Sequence, residues 1–416
     1  MNKTDDLTIK VPEEVRSIME RLTEAGYEAY CVGGCVRDSL LNRAPEDWDI
    51  TTSALPEQVK SLFSNTVDTG IQHGTVMVIR KGIGYEITTY RIDGEYKDGR
   101  HPEQVTFTRS LEEDLKRRDF TINAFAYNEK AGLVDLFGGL DDLKAKVIKA
   151  VGDPNQRFTE DALRIMRAIR FSAQLDFAVE EETYGAIAKH AANLAQVSME
   201  RIRVEFEKTL MSPCSGRVKE FFRLGMGEYI LPGYAGRCAD FNEEIAAFYS
   251  GMEGEERRYL LLADLLRNLS AEEAKDALRN MKYDNRTVHT VSKILQYLKE
   301  SCAEDAVSIK RALNQEGEEI FFLTLQMQEA AARAENKEDP ETFPRIRAMA
   351  KEIIAKKEPY TIAQLSVTGS DLIAEGITRG EEIGTTLQQL LEKVIREPEL
   401  NAKETLIALI RGQQEG

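Results

Sequence analysis

The texture of the chain changes at Gly152-Asp153-Pro154, and that change limits the folds open to it. Before this point β-rich runs alternate with short helical patterns. Residues 12–25 place Val15, Ile18, Met19 and Leu22 at helical spacing. YEAYCV (Tyr27 to Val32) reads as a strand ending at Gly33-Gly34, and CVRDSLL continues as a helix. DWDITT reads as a second strand, bounded by Pro45 and by the helix-starting SALPEQVKSLF. GTVMVIR and YEITTYR are strands joined by a hairpin at Lys81-Gly82-Ile83-Gly84. Beyond Pro154 helix formers dominate, and everything from about 155 onward reads as helical. The expected fold class is therefore α+β, with a mixed β-sheet first domain carrying helices and an all-helical remainder. A chain of 416 residues is too long for one core and calls for several domains. Joints are expected at Pro213, at LPGYAG, and in the Glu/Lys/Ala-rich stretch near 329–340.

Four strings in the first 170 or so residues carry the chemistry: GGCVRD (Gly33 to Asp38), DWDI (Asp47 to Ile50), RRDFTINA (Arg117 to Ala124) and EDALRIMRAIRF (Glu160 to Phe171). On a strand, residues i and i+2 point to one face, so Asp47 and Asp49 form a carboxylate pair. Alone, such a pair reads as a solvated acidic edge. Preceded by a glycine pair, it suits two Mg²⁺ ions roughly 4 Å apart, one activating a hydroxyl and one holding a triphosphate. Glu86, in YEITTY, is the candidate third acid from a neighbouring strand. Gly33 and Gly34 let backbone N–H groups approach phosphate, with Arg37 one turn further on. Asp161, Arg164, Arg167 and Arg170 recur every three residues, which on a helix makes a slowly rotating stripe. Read blandly, these are surface ion pairs. Read functionally, a carboxylate accepts from the exocyclic amine of cytosine or adenine while a guanidinium donates to the adjacent ring acceptor. Guanine and uracil present a carbonyl oxygen there, so one Asp–Arg pair selects C and A. Asp119 stands beside Arg117 and Arg118, and a structural partner for the arginines is favoured over a catalytic acid.

The ordered set resembles the class II nucleotidyltransferases, which include the CCA-adding tRNA nucleotidyltransferases and the bacterial poly(A) polymerases. GSDLIAEGITRGEEIGTTLQQLL (Gly369 to Leu391) is similar to the C-terminal segment of CCA-adding enzymes of Bacillus-like bacteria. The resemblance implies a catalytic head over 1–152, a neck for base recognition over 153–212, a body over 213–328 and a tRNA-binding tail over 329–416. It implies metal binding by Asp47 and Asp49 and triphosphate contact by Gly34 and Arg37. Contact with the incoming nucleotide falls on Arg118, Arg167 and Arg170, and base recognition on Asp161 and Arg164. It also marks Arg91 to Phe107 as a loop that CCA-adding and A-adding enzymes retain and CC-adding enzymes shorten. The implied reaction adds C, C and A to the 3′ end of tRNA from CTP and ATP, releasing pyrophosphate. Poly(A) polymerase and CC-only or A-only transferases remain as alternatives.

Composition narrows the setting. The net charge of −16 argues against a nonspecific nucleic-acid coat, so any RNA contact calls for a local basic stripe. MNKTDDLTIK has no apolar h-region, and no apolar run reaches the 18 or so residues of a membrane span. Five scattered cysteines (Cys31, Cys35, Cys214, Cys238, Cys302) read as free thiols in a reducing cytoplasm rather than a zinc site. With four histidines and no HD or HExxH pair, a phosphohydrolase domain is not expected.

Overall fold

The computed structural model describes residues 8–94, 105–300, 304–335 and 341–414. They pack as two units. One comprises the chain up to Ala239 with Asn280–Lys282, the other Asp240–Arg279 and Tyr283 onward.

The first unit opens with α1 (Glu13–Glu24), whose Val15, Ile18, Met19 and Leu22 are all buried as their spacing predicts. Then come β1 (Ala29–Val32), α2 (Gly34–Leu40), β2 (Ile50–Thr52), α3 (Pro56–Leu62), β3 (Thr66–Gly70), β4 (Thr75–Arg80) and β5 (Ile83–Thr89). A short antiparallel ribbon follows, β6 (Arg91–Asp93) with β7 (Val105–Phe107), pairing Arg91 with Phe107. The middle of the expected loop, 95–104, lies outside the described residues. Next are α4 (Leu111–Lys116), β8 (Phe125–Asn128), β9 (Gly132–Asp135) and α5 (Gly139–Ala145). The seven-stranded sheet runs β3-β4-β5-β2-β1-β8-β9. Only β2 and β5 pair in parallel, so the sheet is mixed as expected. The β4–β5 turn is Lys81-Gly82, both at positive φ (49° and 82°), which matches strand twist in a two-residue hairpin.

The neck leaves the sheet where Asp153 caps α6 (Pro154–Glu160), its side chain accepting from the Asn155 N–H, with Pro154 at the first helical position. α7 (Leu163–Leu175), α8 (Glu181–His190) and α9 (Met199–Leu210) follow. The expectation of pure helix after 155 needs one correction. β10 (Val147–Ile148) and β11 (Ala178–Val179) pair in parallel, closing the chain across α6 and α7. Pro213 lies in a turn inside the first unit, not at its edge, and packing divides the chain just beyond LPGYAG. The 328/329 boundary cuts a continuous helix, Glu318–Ala334. The second unit is helical, with one apolar cluster around Ile309, Phe321, Phe343 and Ile346 and another around Leu372, Leu390, Leu391 and Leu406.

Gly139 shows how tightly the sheet end is packed. A Cβ there would lie 2.4 Å from the Thr121 carbonyl oxygen and 2.8 Å from the Phe125 ring. Gly139→Ala should therefore cost about 1–3 kcal/mol in urea unfolding. Gly185, inside α8, has nothing within 4 Å of such a Cβ. Gly185→Ala should stabilise the same unit by about 0.5–1 kcal/mol, from helix propensity alone.

Candidate active site

Gly33 forms the corner between β1 and α2 at φ 79°, ψ −130°, a region glycine adopts freely. A Cβ there would also stand 3.2 Å from Arg118 Nη1, so the arginine lies directly against the turn. Asp47 and Asp49 do not sit within β2 but on the extended segment leading into it. The Val32 N–H donates to the Asp49 carbonyl at 3.0 Å and extends the β1–β2 pairing to that residue. Glu86 comes from the adjoining β5, where Ile50 pairs with Ile87. Loss of hydration raises the Asp49 carboxyl above its ordinary value, and the charges of Glu86 and Asp47 add to this while Arg118 opposes it. The side chain nonetheless keeps solvent contact. The three acids thus share one field, yet among the described residues no group of three acid, His or Cys side chains is disposed to hold a metal.

Arg37 is not free for phosphate in this arrangement. Its Nε and Nη2 donate to the two Asp38 oxygens at 2.9 Å each, and its Nη1 donates to Asn123 Oδ1 at 2.6 Å. Asn123 Nδ2 donates to Asp119 Oδ1 at 3.1 Å. Asp119 Oδ2 accepts from Arg167 Nε at 2.8 Å and Nη2 at 2.6 Å. Asp119 is thus the structural partner of an arginine, but of Arg167 on α7 rather than of its neighbours in sequence. Burial works to raise the Asp119 carboxyl, but Arg167 and the Asn123 bond outweigh it and hold it far below the usual carboxylate range. The partner of Arg117 and Arg118 is instead Asp114, fully buried on α4 and not anticipated from the sequence. Its spacing of three and four residues from the two arginines was the available signal.

The helix expected to carry Asp161 is broken there. Asp161 takes an extended conformation (φ −136°, ψ 104°) between α6 and α7, and its Oδ1 accepts from the Leu163 N–H at 3.0 Å. It does not pair with Arg164. Arg201 of α9 faces it at 3.3 Å. Arg164 donates to Glu160 Oε2 at 2.8 Å and to the Arg117 carbonyl at 2.9 Å. Arg170 is buried against Glu205 at 3.2 Å, and burial, opposed by Glu205, lowers its guanidinium to about 10. That position makes it a support for α7 against α9. Arg37, Arg167 and Arg170 all lie over the Phe171 ring, at 5.0, 5.2 and 4.2 Å from its centroid. Glu160, Arg201 and Glu205 carry no sequence signal of their own, because their partners lie on other elements or in a neighbouring turn.

The sheet end thus joins a glycine corner, a carboxylate pair and an arginine pair to a neck helix rich in guanidinium groups. Residues 29–149 match the family described as Poly A polymerase head domain. Residues 176–237 match the family described as an RNA and SrmB-binding site of polymerase A, and 252–410 the family described as tRNA nucleotidyltransferase domain 2. The first unit therefore carries a nucleotidyltransferase head. The CCA-adding enzyme of Pediococcus pentosaceus is 38% identical over 97% of this chain and 98% of its own length. That of Leuconostoc mesenteroides is 41% identical over 95% and 96%. The crystal structure of the Bacillus stearothermophilus CCA-adding enzyme in complex with CTP superposes with a TM-score of 0.82 at 35% identity, covering 98% of each chain. The chain belongs to the CCA-adding enzyme family.

The Asp119–Arg167 pair makes a pH prediction. A carboxyl held below its unfolded value contributes stability above the ordinary Asp range, and that stability is lost as pH falls below about 4 toward the folded value. Asp119→Asn should cost about 3 kcal/mol at neutral pH, the low end for a broken buried pair because Arg167 keeps part of its surface in water. Urea unfolding from pH 7 to 2 should show a shallower acid limb in the variant than in the parent chain.

Proposed function

We propose that this chain adds C, C and A to the 3′ end of tRNA, using CTP and ATP and releasing pyrophosphate. The observation that carries the reading is convergence on Arg117–Asp119. Arg118 lies against the glycine corner and acts on the Asp49 carboxyl, while Arg164 rests on the Arg117 carbonyl. One short segment thus links the reacting end of a nucleotide to the place where its base would be read.

The donor set suits Mg²⁺. Asp47 and Asp49 are hard oxygen ligands whose mutual repulsion a divalent cation relieves, and Mg²⁺ is commonly held by one or two carboxylates with substrate phosphates completing the shell. When bound, it would supply activation of the terminal 3′-hydroxyl and charge neutralisation at the triphosphate. Glu86 stands beside the pair as a further acid. Gly34, Arg37 and Arg118 cradle the phosphates, Arg37 exchanging its bonds to Asp38 for them. Asp161 accepts from the exocyclic amine of C or A, and Arg164 donates to the neighbouring ring acceptor. To do so, each turns from a partner it holds without substrate, Arg201 and Glu160 respectively. Base recognition is assigned to 153–212 and tRNA contact to the helical tail over 329–416. The compartment proposed is the cytoplasm. The four cysteines among the described residues are free, which fits a reducing setting, and no described helix is long and apolar enough to cross a membrane.

The test is a tRNA lacking its last three nucleotides, incubated with each NTP singly and in pairs. Two added nucleotides with CTP and three with CTP plus ATP are expected. Long A tracts from ATP alone would identify a poly(A) polymerase instead. Asp47→Ala or Asp49→Ala should abolish transfer and leave the unfolding transition in place. Asp161→Ala should raise misincorporation of UTP and GTP and cost about 1–3 kcal/mol in transition-state binding of CTP, read from kcat/KM.

A further inference from the structure

Asp114 has no solvent exposure, and the chemistry just described gives it no task. Its two oxygens serve different parts of the site. Oδ1 accepts from Arg117 Nε at 3.0 Å and Nη2 at 2.7 Å, and from the Arg91 backbone N–H at 3.3 Å where β6 begins. Oδ2 accepts from the Thr51 hydroxyl at 3.1 Å and faces Arg118 Nη2 at 3.5 Å. Thr51 lies in β2, two residues beyond Asp49. Arg118 lies against Gly33, and the carbonyl of Arg117 receives Arg164. One buried carboxylate therefore touches the strand that follows the metal acids, the arginine at the glycine corner, and the residue on which the base-reading arginine rests.

A buried charge is expensive to hold, and a structural role alone is met as well or better by an apolar side chain of similar volume. Charge is needed where two adjacent guanidinium groups must be kept close and oriented. We propose that Asp114 is a positioning residue for nucleotidyl transfer, holding the Arg118 guanidinium over the Gly33 corner at a fixed distance from the Asp49 strand. So held, Arg118 meets the triphosphate instead of collapsing onto the carboxylates. Burial works to raise the Asp114 carboxyl, but Arg117 and Arg118 outweigh it, so it is ionised and can act in this way. Arg118 already acts on the Asp49 carboxyl, so that acid is its natural alternative partner once Asp114 is gone. This inference rests on the function proposed above.

The test is Asp114→Asn, with KM and kcat for CTP measured on a tRNA ending before the CCA. Equilibrium binding of CTP is followed by calorimetry, and binding of Mn²⁺ to the protein alone by loss of the free-ion EPR signal. KM and the CTP dissociation constant should rise about 10-fold and Mn²⁺ affinity should fall, with a smaller change in kcat. In an Arg118→Ala background the same substitution should add less than about 3-fold, because the effect passes through Arg118. Should Asp114→Asn fail to fold, Thr51→Val removes one bond to Oδ2 and should raise KM about 3-fold with a small fall in the melting temperature that leaves the first unit folded at the assay temperature. A fall in kcat with unchanged CTP and Mn²⁺ binding, or an equal penalty with and without Arg118, would overturn the proposal. If the parent chain adds nothing to tRNA, the functional reading fails instead, and the CTP and Mn²⁺ binding data still decide the role of Asp114.

Discussion

The pairing of Asp119 with Arg167 is the contact on which the site depends. Two charge-assisted bonds, at 2.8 and 2.6 Å, tie the segment after α4 to the middle of α7. Through Asn123 the same carboxylate reaches Arg37 beside the glycine corner. Three guanidinium groups gather over the Phe171 ring, and they would repel one another if left bare. Each has its own acid: Asp38 for Arg37, Asp119 for Arg167 and Glu205 for Arg170. The guanidinium groups are therefore gathered in advance, each held by its own acid until a competing anion displaces it.

This also explains how a chain of net charge −16 handles an anionic substrate. Arg37, Arg167 and Arg170 gather over one ring of α7, and Arg117 and Arg118 stand together on one buried carboxylate.

Much of the sheet was legible, because alternation and turn chemistry are local. The α1 face, the Lys81-Gly82 turn and the Asp153-Pro154 helix start all follow from neighbouring residues. The site was legible as a set of residue types but not as a set of partners. The three-residue spacing places Asp161 on a continuous helix, yet its side chain serves the N-terminus of α7, and capping breaks the stripe. Spacing offers Asp161 to Arg164, whereas Glu160 lies one turn before it and takes the bond. Asp114 is legible only in part: its spacing points to Arg117 and Arg118, but its partners Thr51 and Arg91 are distant in sequence, and only the pairing of strands brings them together. Glu205 is invisible for the same reason.

The two-residue pairing of β10 with β11 has a consequence for how the molecule breathes. The Ala178 N–H donates to the Lys146 carbonyl at 2.9 Å, and the Glu180 N–H to that of Ile148 at 3.0 Å. The intervening stretch, which holds α6, the Asp161 break and α7, is thus a closed lobe pinned at its base to the end of the head. Fraying from one end is blocked, since each terminus of the lobe is anchored beside the other. Its helices should open together with the sheet to which they are pinned, as one cooperative element. The amides of α7 would then exchange with solvent on the slow timescale of the head's interior strands, although they belong to a short helix that would be only marginally stable in isolation.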